Sequence, residues 1–89
     1  MKLIKTIVLT EVAGDYIAVP VGEATNRFNG VVRLNKTGRD IVQGLIDGLE
    51  LREIAEKLVA DYDGVDFDTA WKAAQGVADK LRAEGLLTD

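Results

Sequence analysis

The sequence has no histidine and no cysteine, and it has only one proline and one tryptophan. Without imidazole and thiol groups, the protein lacks the commonest general base, the thiolate nucleophile, disulfides and Cys/His metal sites. No stretch approaches the ~18 apolar residues of a membrane span, and residues 1–9 lack the long apolar region and cleavage site of a signal peptide. We therefore expect a cytoplasmic protein without a membrane segment, and most classes of small enzyme are excluded.

Negative charge is concentrated in the second half of the chain. The net charge is −4, with six Lys/Arg against four Asp/Glu in residues 1–44 and five against eleven in residues 45–89. This acidic balance argues against nucleic acid as a partner, because phosphates are bound by clustered basic side chains. At 89 residues the chain is predicted to form one domain, 1–89, with a small core.

The hydrophobic pattern changes from strand-like to helix-like at Asn35. Before it, β-branched runs such as TIVLTEV are separated by turn residues, and after it apolar residues recur at helical spacing. Asn35 and Asp66 are suited to cap helices, and Gly48 and Gly85 to end them. The predicted class is α+β, in the order β-β-β-α-α-α. Strands are expected at about 6–12, 15–21 and 30–34, and helices at about 36–47, 50–62 and 68–84.

The acidic segment DYDGVDFD at residues 61–68 begins like a calcium-binding loop. However, Val65, Asp66 and Lys72 stand where such a loop needs an oxygen ligand, a glycine and a bidentate glutamate. We therefore predict a solvated connection between two helices and no metal site. The carboxylates of the second helix have no nucleophile or phosphate-binding loop beside them, so no catalytic residue is indicated and the protein is predicted not to be an enzyme.

Two residues of the third helix differ from their neighbours. Gly76 lies in the middle of the helix, where glycine costs ~1 kcal/mol relative to alanine. Either close packing against a neighbouring element or the close approach of a ligand backbone explains a glycine there. Trp71, the only tryptophan, falls on the apolar stripe and is expected in the core.

The passage from the third strand into the first helix carries a motif. VRLNKTG at residues 32–38, followed by an isoleucine and by LIDG at residues 45–48, resembles the LNxTG…I…L…G signature of the PqqD family. LREIA at residues 51–55 and KLRAEGLL at residues 80–87 resemble the second and closing helices of that family. The chain departs from the family pattern at Glu50, where Thr or Ser is common, and in the VPVGEATNRFNG segment.

The resemblance implies a winged-helix-like fold, with a three-stranded antiparallel sheet followed by a three-helix bundle. It also implies a peptide chaperone. In this family a small domain captures the leader of a ribosomally made precursor peptide and presents it to a modifying enzyme, frequently a radical S-adenosylmethionine protein. The founding members act in pyrroloquinoline quinone biosynthesis. The implied partners are thus a leader peptide and a modifying enzyme, with no cofactor, no nucleic acid and no membrane.

The third predicted strand offers a physical route to peptide binding. If it is a sheet edge, its outer N–H and C=O groups are unpaired, and an extended peptide can add there as a further strand. By resemblance, the third helix forms the other wall of the groove, where basic side chains suit an acidic residue of the leader. The residues expected to contact the peptide are Val31, Val32, Arg33 and Leu34 on the strand, and Lys72, Gln75, Gly76 and Arg82 on the third helix.

Two other functions are open from the residues alone. The same free edge suits another protein or a second copy of the chain, so an interaction or dimerisation domain is one alternative, and the protein is expected to be a monomer or a dimer. The order of strands and helices also suits a winged-helix DNA-binding regulator. Neither the second nor the third helix, however, begins with a convincing set of the Arg, Lys, Asn or Gln side chains that read bases.

Overall fold

The computed structural model describes residues 2–3, 6–21 and 32–88. Three strands form an antiparallel sheet in the order β2-β3-β4, three helices follow, and β1 and β5 form a separate two-residue pair. The α+β fold class predicted from the sequence is confirmed. The elements are β1 (Lys2–Leu3), β2 (Thr6–Val12), β3 (Asp15–Val21), β4 (Val32–Leu34), α1 (Lys36–Ile46), α2 (Leu51–Asp61), α3 (Phe67–Ala83) and β5 (Leu87–Thr88).

β2 and β3 form a hairpin whose turn needs two residues of positive φ. Val12 pairs with Asp15 across Ala13 and Gly14, whose φ angles are 51° and 86°. Positive angles at both central residues are those of a type I′ turn, which matches the right-handed twist of the strands. Glycine adopts such an angle without steric cost, whereas Ala13 is the only non-glycine residue of the described ranges that does so.

β4 is short, and within the described residues it pairs only with β3. It lies in antiparallel register against residues 16–18 of that strand. Val32 and Leu34 point into the core, where only 7% and 8% of their surface is accessible, whereas Arg33 points to solvent. Residues 30–31, which the sequence predicts as part of this strand, lie outside the described residues.

Asn35 alone separates β4 from α1. Its side-chain Oδ1 accepts a hydrogen bond from the backbone N–H of Gly38 at 2.7 Å, which caps the first turn of the helix. Gly38 is buried, and a Cβ at this position would lie 3.2 Å from Leu34 Cδ2. The strand meets the helix without a linker because the cap satisfies a free N–H and the glycine leaves room for the last strand residue.

α1 approaches α2 most closely at a glycine. An ideal Cβ at Gly44 would lie 2.7 Å from Ile54 Cγ1 and 3.0 Å from Ile54 Cδ1, and both residues are buried. α1 ends shortly after this contact. Gly48, four residues beyond Gly44, has a φ of +85°, and the N–H of Leu49 donates to the carbonyl of Gly44 at 2.9 Å. Gly44 therefore lets the two helices approach closely.

α2 and α3 each begin at an acidic residue. The backbone N–H of Glu50 donates to Glu53 Oε1 at 3.1 Å, so the position where the family commonly has Thr or Ser still belongs to a capping box. Asp66 Oδ1 accepts a hydrogen bond from the Thr69 N–H at 2.8 Å, and this bond holds the pKa of the Asp66 carboxyl below its ordinary value. Gly85, with a φ of 73°, follows the end of α3.

The core lies between the sheet and the three helices. Trp71, which the sequence places in the core, is partly buried against it, and its ring stacks on that of Phe67 with 6.0 Å between centroids. None of the helices in the described ranges is both long enough and apolar enough to cross a bilayer. α3 contributes three small side chains and one large one to the core, namely Ala70, Ala74, Ala78 and Leu81.

Candidate functional site

A cavity of about 240 Å³ separates the start of α1 from α3. It begins at Asn35, the residue that directly follows β4, so it lies at the junction between the sheet edge and the helices. We call this space the α1–α3 groove. Its lining residues are Asn35, Thr37, Gly38 and Ile41 on one wall and Ala73, Gly76, Val77 and Lys80 on the other.

β4 offers backbone groups rather than apolar side chains. Alternate residues of an antiparallel strand turn their N–H and C=O groups toward and away from the neighbouring strand. Because β3 is the only partner of β4 within the described residues, the outward groups of β4 have no strand partner in that part of the chain. Val32 and Leu34 are buried in the core, so their side chains form no pocket for a peptide, and Val31 lies outside the described residues.

Gly76 is the predicted site residue that the structure brings into the groove. It is exposed, and an ideal Cβ built on it has no neighbouring atom within 4 Å in the described part of the chain. Close packing within those residues therefore does not account for this glycine, which was one of the two explanations offered by the sequence. The second explanation, close approach of a bound ligand, stays a prediction.

Lys72, Gln75 and Arg82 do not line the groove. At roughly 100° per residue, Gln75 and Arg82 lie on nearly the opposite side of α3 from the face that carries Gly76 and Lys80. Lys72 lies four residues before Gly76, so it is on the same side of α3 as Gly76 but one turn before the residues that line the groove. Contact of these three side chains with a peptide stays a prediction, and it requires a peptide that extends beyond the groove.

The three basic residues predicted to bind the leader each pair with a carboxylate of the chain itself. All three pairs are at least partly open to solvent, and exposed pairs of this kind contribute about 0–1 kcal/mol, so a peptide carboxylate can replace the partner at little cost. The pairs are Arg33 with Asp15 at 2.6 Å, Lys72 with Asp68 at 3.1 Å and Arg82 with Asp79 at 2.8 Å.

Sequence reasoning missed several residues of the groove. Lys80 lies four residues after Gly76, so the two share one helix face. Thr37 and Ile41 come from the first turns of α1, directly opposite that face across the cavity. The helical spacing from Gly76 was the signal that pointed to Lys80, whereas nothing local indicates that α1 supplies the second wall.

A second polar cluster lies on another face of α1. The Tyr62 hydroxyl donates a hydrogen bond to Asp40 Oδ2, and this bond together with burial raises the pKa of Tyr62 to about 12. The Arg39 guanidinium lies 5.1 Å from the centre of the Tyr16 ring, which links α1 to β3. Through these contacts the cluster joins α1 to the end of α2 and to the sheet.

The family assignment follows from the sequence profile of coenzyme PQQ synthesis protein D, PqqD, which matches residues 7–87. The chain belongs to the PqqD family. The match runs from β2 to the first residue of β5, so it includes β4, the Asn35 junction and both walls of the groove. The resemblance drawn from the LNxTG-like motif is thereby confirmed.

Two solved structures share the fold of this member of the PqqD family. One, TbiB1 in complex with the TbiA(beta) leader peptide, is 20% identical, with a TM-score of 0.75 over 100% of both chains. The other, lasso peptide synthetase B1 complexed with the leader peptide, is 22% identical, with a TM-score of 0.73 over 99% of this chain and 96% of that one. A search of curated proteins finds no significant match.

Proposed function

We propose that the protein binds the leader segment of a ribosomally made precursor peptide and presents it to a modifying enzyme. The leader adds as a further strand to β4 and continues over the α1–α3 groove. One observation carries the proposal. A strand that has an unpaired edge within the described residues runs directly into a groove whose far wall contains an exposed glycine.

β4 and the α1–α3 groove are expected to contribute differently to peptide binding because they differ in size. Main-chain hydrogen bonds give strand addition its affinity, and pockets for side chains give it specificity. The described part of β4 has three residues, of which only alternate ones point outward, so it supplies few bonds. The groove must provide much of the remaining affinity, and the Asn35 cap holds its α1 wall in place before a peptide arrives.

Family membership and the two structural neighbours support the binding part of the proposal. Both neighbours are complexes with leader peptides, and both share the fold along almost the whole chain. The resemblance to the PqqD family supports a radical S-adenosylmethionine protein, or another peptide-modifying enzyme, as the acceptor of the bound leader. Because such a precursor is made on ribosomes, we expect the two proteins to meet in the cytoplasm. The protein itself acts by binding and catalyses no step.

The first test is an NMR titration of labelled protein with a synthetic leader taken from a short open reading frame beside the gene. We expect backbone amide shifts at residues 32–34 and along the groove face of α3, from Ala73 to Lys80. Shifts confined to the α1–α2 side, around Asp40 and Tyr62, would place the peptide elsewhere and contradict the proposal.

Strand addition itself is tested by changing the peptide and leaving the protein intact. Two versions of the leader carry backbone N-methyl groups at alternate residues, in opposite phases. A methylated amide cannot donate a hydrogen bond, so one phase should lose at least about tenfold in affinity while the other keeps most of it. The two phases serve as matched controls for each other. Equal affinities would mean that the backbone of the peptide does not pair with β4.

The open edge also suits a second copy of the chain, which is the main alternative for its use. Molecular mass measured as a function of protein concentration, with and without leader, distinguishes dimerisation from leader binding. We expect that any dimer formed through β4 dissociates when the leader binds, because both need the same backbone groups. Binding to DNA is disfavoured by the start of α3, where Asp66 and Asp68 would face the phosphates.

A further inference from the structure

The groove contains one cation, Lys80, for which the described residues provide no ion-pair partner. Lys80 is the only charged residue among those that line the groove, and it makes no ion pair within the described ranges. Arg33 and Lys72, by contrast, are held by carboxylates of the chain. An acidic group that binds Lys80 therefore displaces no carboxylate of the described residues.

Apolar side chains surround Gly76, which lies one helical turn before Lys80. Ile41 is fully buried in the α1 wall of the groove, and Ala73 and Val77 are partly buried beside Gly76. Gly76 has no side chain, and the space that a Cβ would enter is open in the described part of the chain. Glycine inside a helix lowers its stability, and nothing in the packing of the described residues compensates for that loss. The open space fits an apolar side chain from a bound partner.

The spacing between Gly76 and Lys80 defines a sequence pattern for the bound peptide. Gly76 and Lys80 are one turn apart, which is about 6 Å along the helix axis. Alternate residues of an extended strand, whose side chains point to the same face, are about 6.6–6.8 Å apart. We propose that the groove selects a leader segment in which a large apolar residue and an Asp or Glu are separated by one residue, with the apolar side chain over Gly76 and the carboxylate at Lys80. This inference rests on the proposed leader-binding function.

The pattern is tested by selection from a displayed library of random linear peptides. We expect the wild-type protein to enrich peptides with a large apolar residue two positions from an Asp or Glu. The Lys80→Glu variant should enrich Lys or Arg at the position of the acid. Two results would contradict the proposed sequence pattern and leave the proposed leader binding intact. The enriched peptides shift the amides of β4 and α3 and yet show no preference for Asp or Glu, or they show the same preference with the Lys80→Glu variant. If no peptide is enriched, or the shifts lie elsewhere, the proposed function fails as well.

Affinities of one enriched peptide give a second, independent measure. Lys80→Gln should weaken binding by about 2- to 5-fold at low salt, and by less as salt is added, as expected for an exposed ion pair. The matched control is Lys57→Gln, which removes a cation that also lacks an ion pair in the described residues but lines the cavity between α1 and α2. Gly76→Leu should weaken binding by roughly tenfold because the new side chain fills the space. Equal effects of the two lysine variants would overturn the role of Lys80.

Discussion

Gly44 in α1 and Gly76 in α3 both lie beyond the first turn of a helix, and the surroundings of these two glycines are opposite. Gly44 in α1 is buried, and a Cβ there would lie 2.7 Å from Ile54 Cγ1. Gly76 in α3 is exposed, and a Cβ there would meet no described atom within 4 Å. Both positions incur the same intrinsic cost of about 1 kcal/mol relative to alanine. At Gly44 the close packing of α2 explains why glycine is present despite that cost. At Gly76 no contact of the described residues explains it.

The fold needs Gly44, whereas it only tolerates Gly76. The first closes the contact between two helices and can be explained without a ligand. The second lies on the wall of a groove beside an open strand edge, where the explanation must come from outside the described residues. Substitution of each glycine by alanine should therefore change stability in opposite directions.

The largest effect is expected at Gly44. Gly44→Ala should lower the free energy of unfolding by about 1–2 kcal/mol, because overpacking against Ile54 costs roughly 1–3 kcal/mol and the helix propensity of alanine offsets only part of it. Urea denaturation measures the change. In the Ile54→Ala background, which removes the clashing atoms, the same substitution should be neutral or stabilising. A loss that is unchanged in that background would show that the close contact is not its cause.

A smaller effect of the opposite sign is expected at Gly76. Gly76→Ala should raise the free energy of unfolding by about 0.5–1 kcal/mol, since the exposed helix gains propensity and the Cβ meets no described atom. The same variant should bind the leader less tightly than the wild type, whereas Gly44→Ala should keep its affinity. Thermal unfolding and a peptide titration on the same samples measure both quantities. A Gly76→Ala protein that is less stable would indicate a packing role and remove the contrast.

The smallest effect concerns how the two helices are capped. Asn35 caps α1 with an amide that does not titrate, whereas Asp66 caps α3 with a carboxylate whose pKa is lowered by its hydrogen bond from Thr69. A lowered pKa in the folded state means that the carboxylate stabilises the fold above its unfolded pKa of about 3.8, and that this contribution is lost as the pH falls through the folded pKa.

Exchange of the caps tests that difference. Asp66→Asn keeps an oxygen that accepts the hydrogen bond, so its unfolding free energy should fall less steeply below about pH 4 than that of the wild type. Asn35→Asp should introduce an acid dependence at α1 that the wild type lacks. Urea denaturation as a function of pH measures both. Parallel pH profiles for Asp66→Asn and the wild type would show that this cap does not contribute to acid unfolding.

Much of the fold was predictable because its signals are local. The hairpin has its turn residues at 13–14, Asn35 has a helix behind it, and the apolar residues of each helix recur at its own period. The helix ends in the structure lie within one residue of those predicted. The two-residue pair of β1 and β5 was not predicted, since it joins the two ends of the described chain and two residues carry no periodicity.

The residues of the candidate site follow only in part from the sequence. The family motif predicted a site at β4 and the third helix, and of the residues named on that helix Gly76 lines the groove. The polar residues of the third helix were chosen by type rather than by position on the helix. Gln75 and Arg82 consequently lie on another face, Lys72 lies one turn before the groove, and Lys80, which lines the groove, was overlooked.

The sequence by itself determined the order of the elements, the position of the Asn35 junction and membership of the PqqD family, because caps, turns and hydrophobic period act between residues that are near in the chain. Only the tertiary structure decided which glycine closes a helix contact and which faces open space. It also decided that Lys80 and Ile41 share one groove. Those outcomes depend on which faces of α1, α2 and α3 meet, and that is set by the packing of side chains far apart in the sequence.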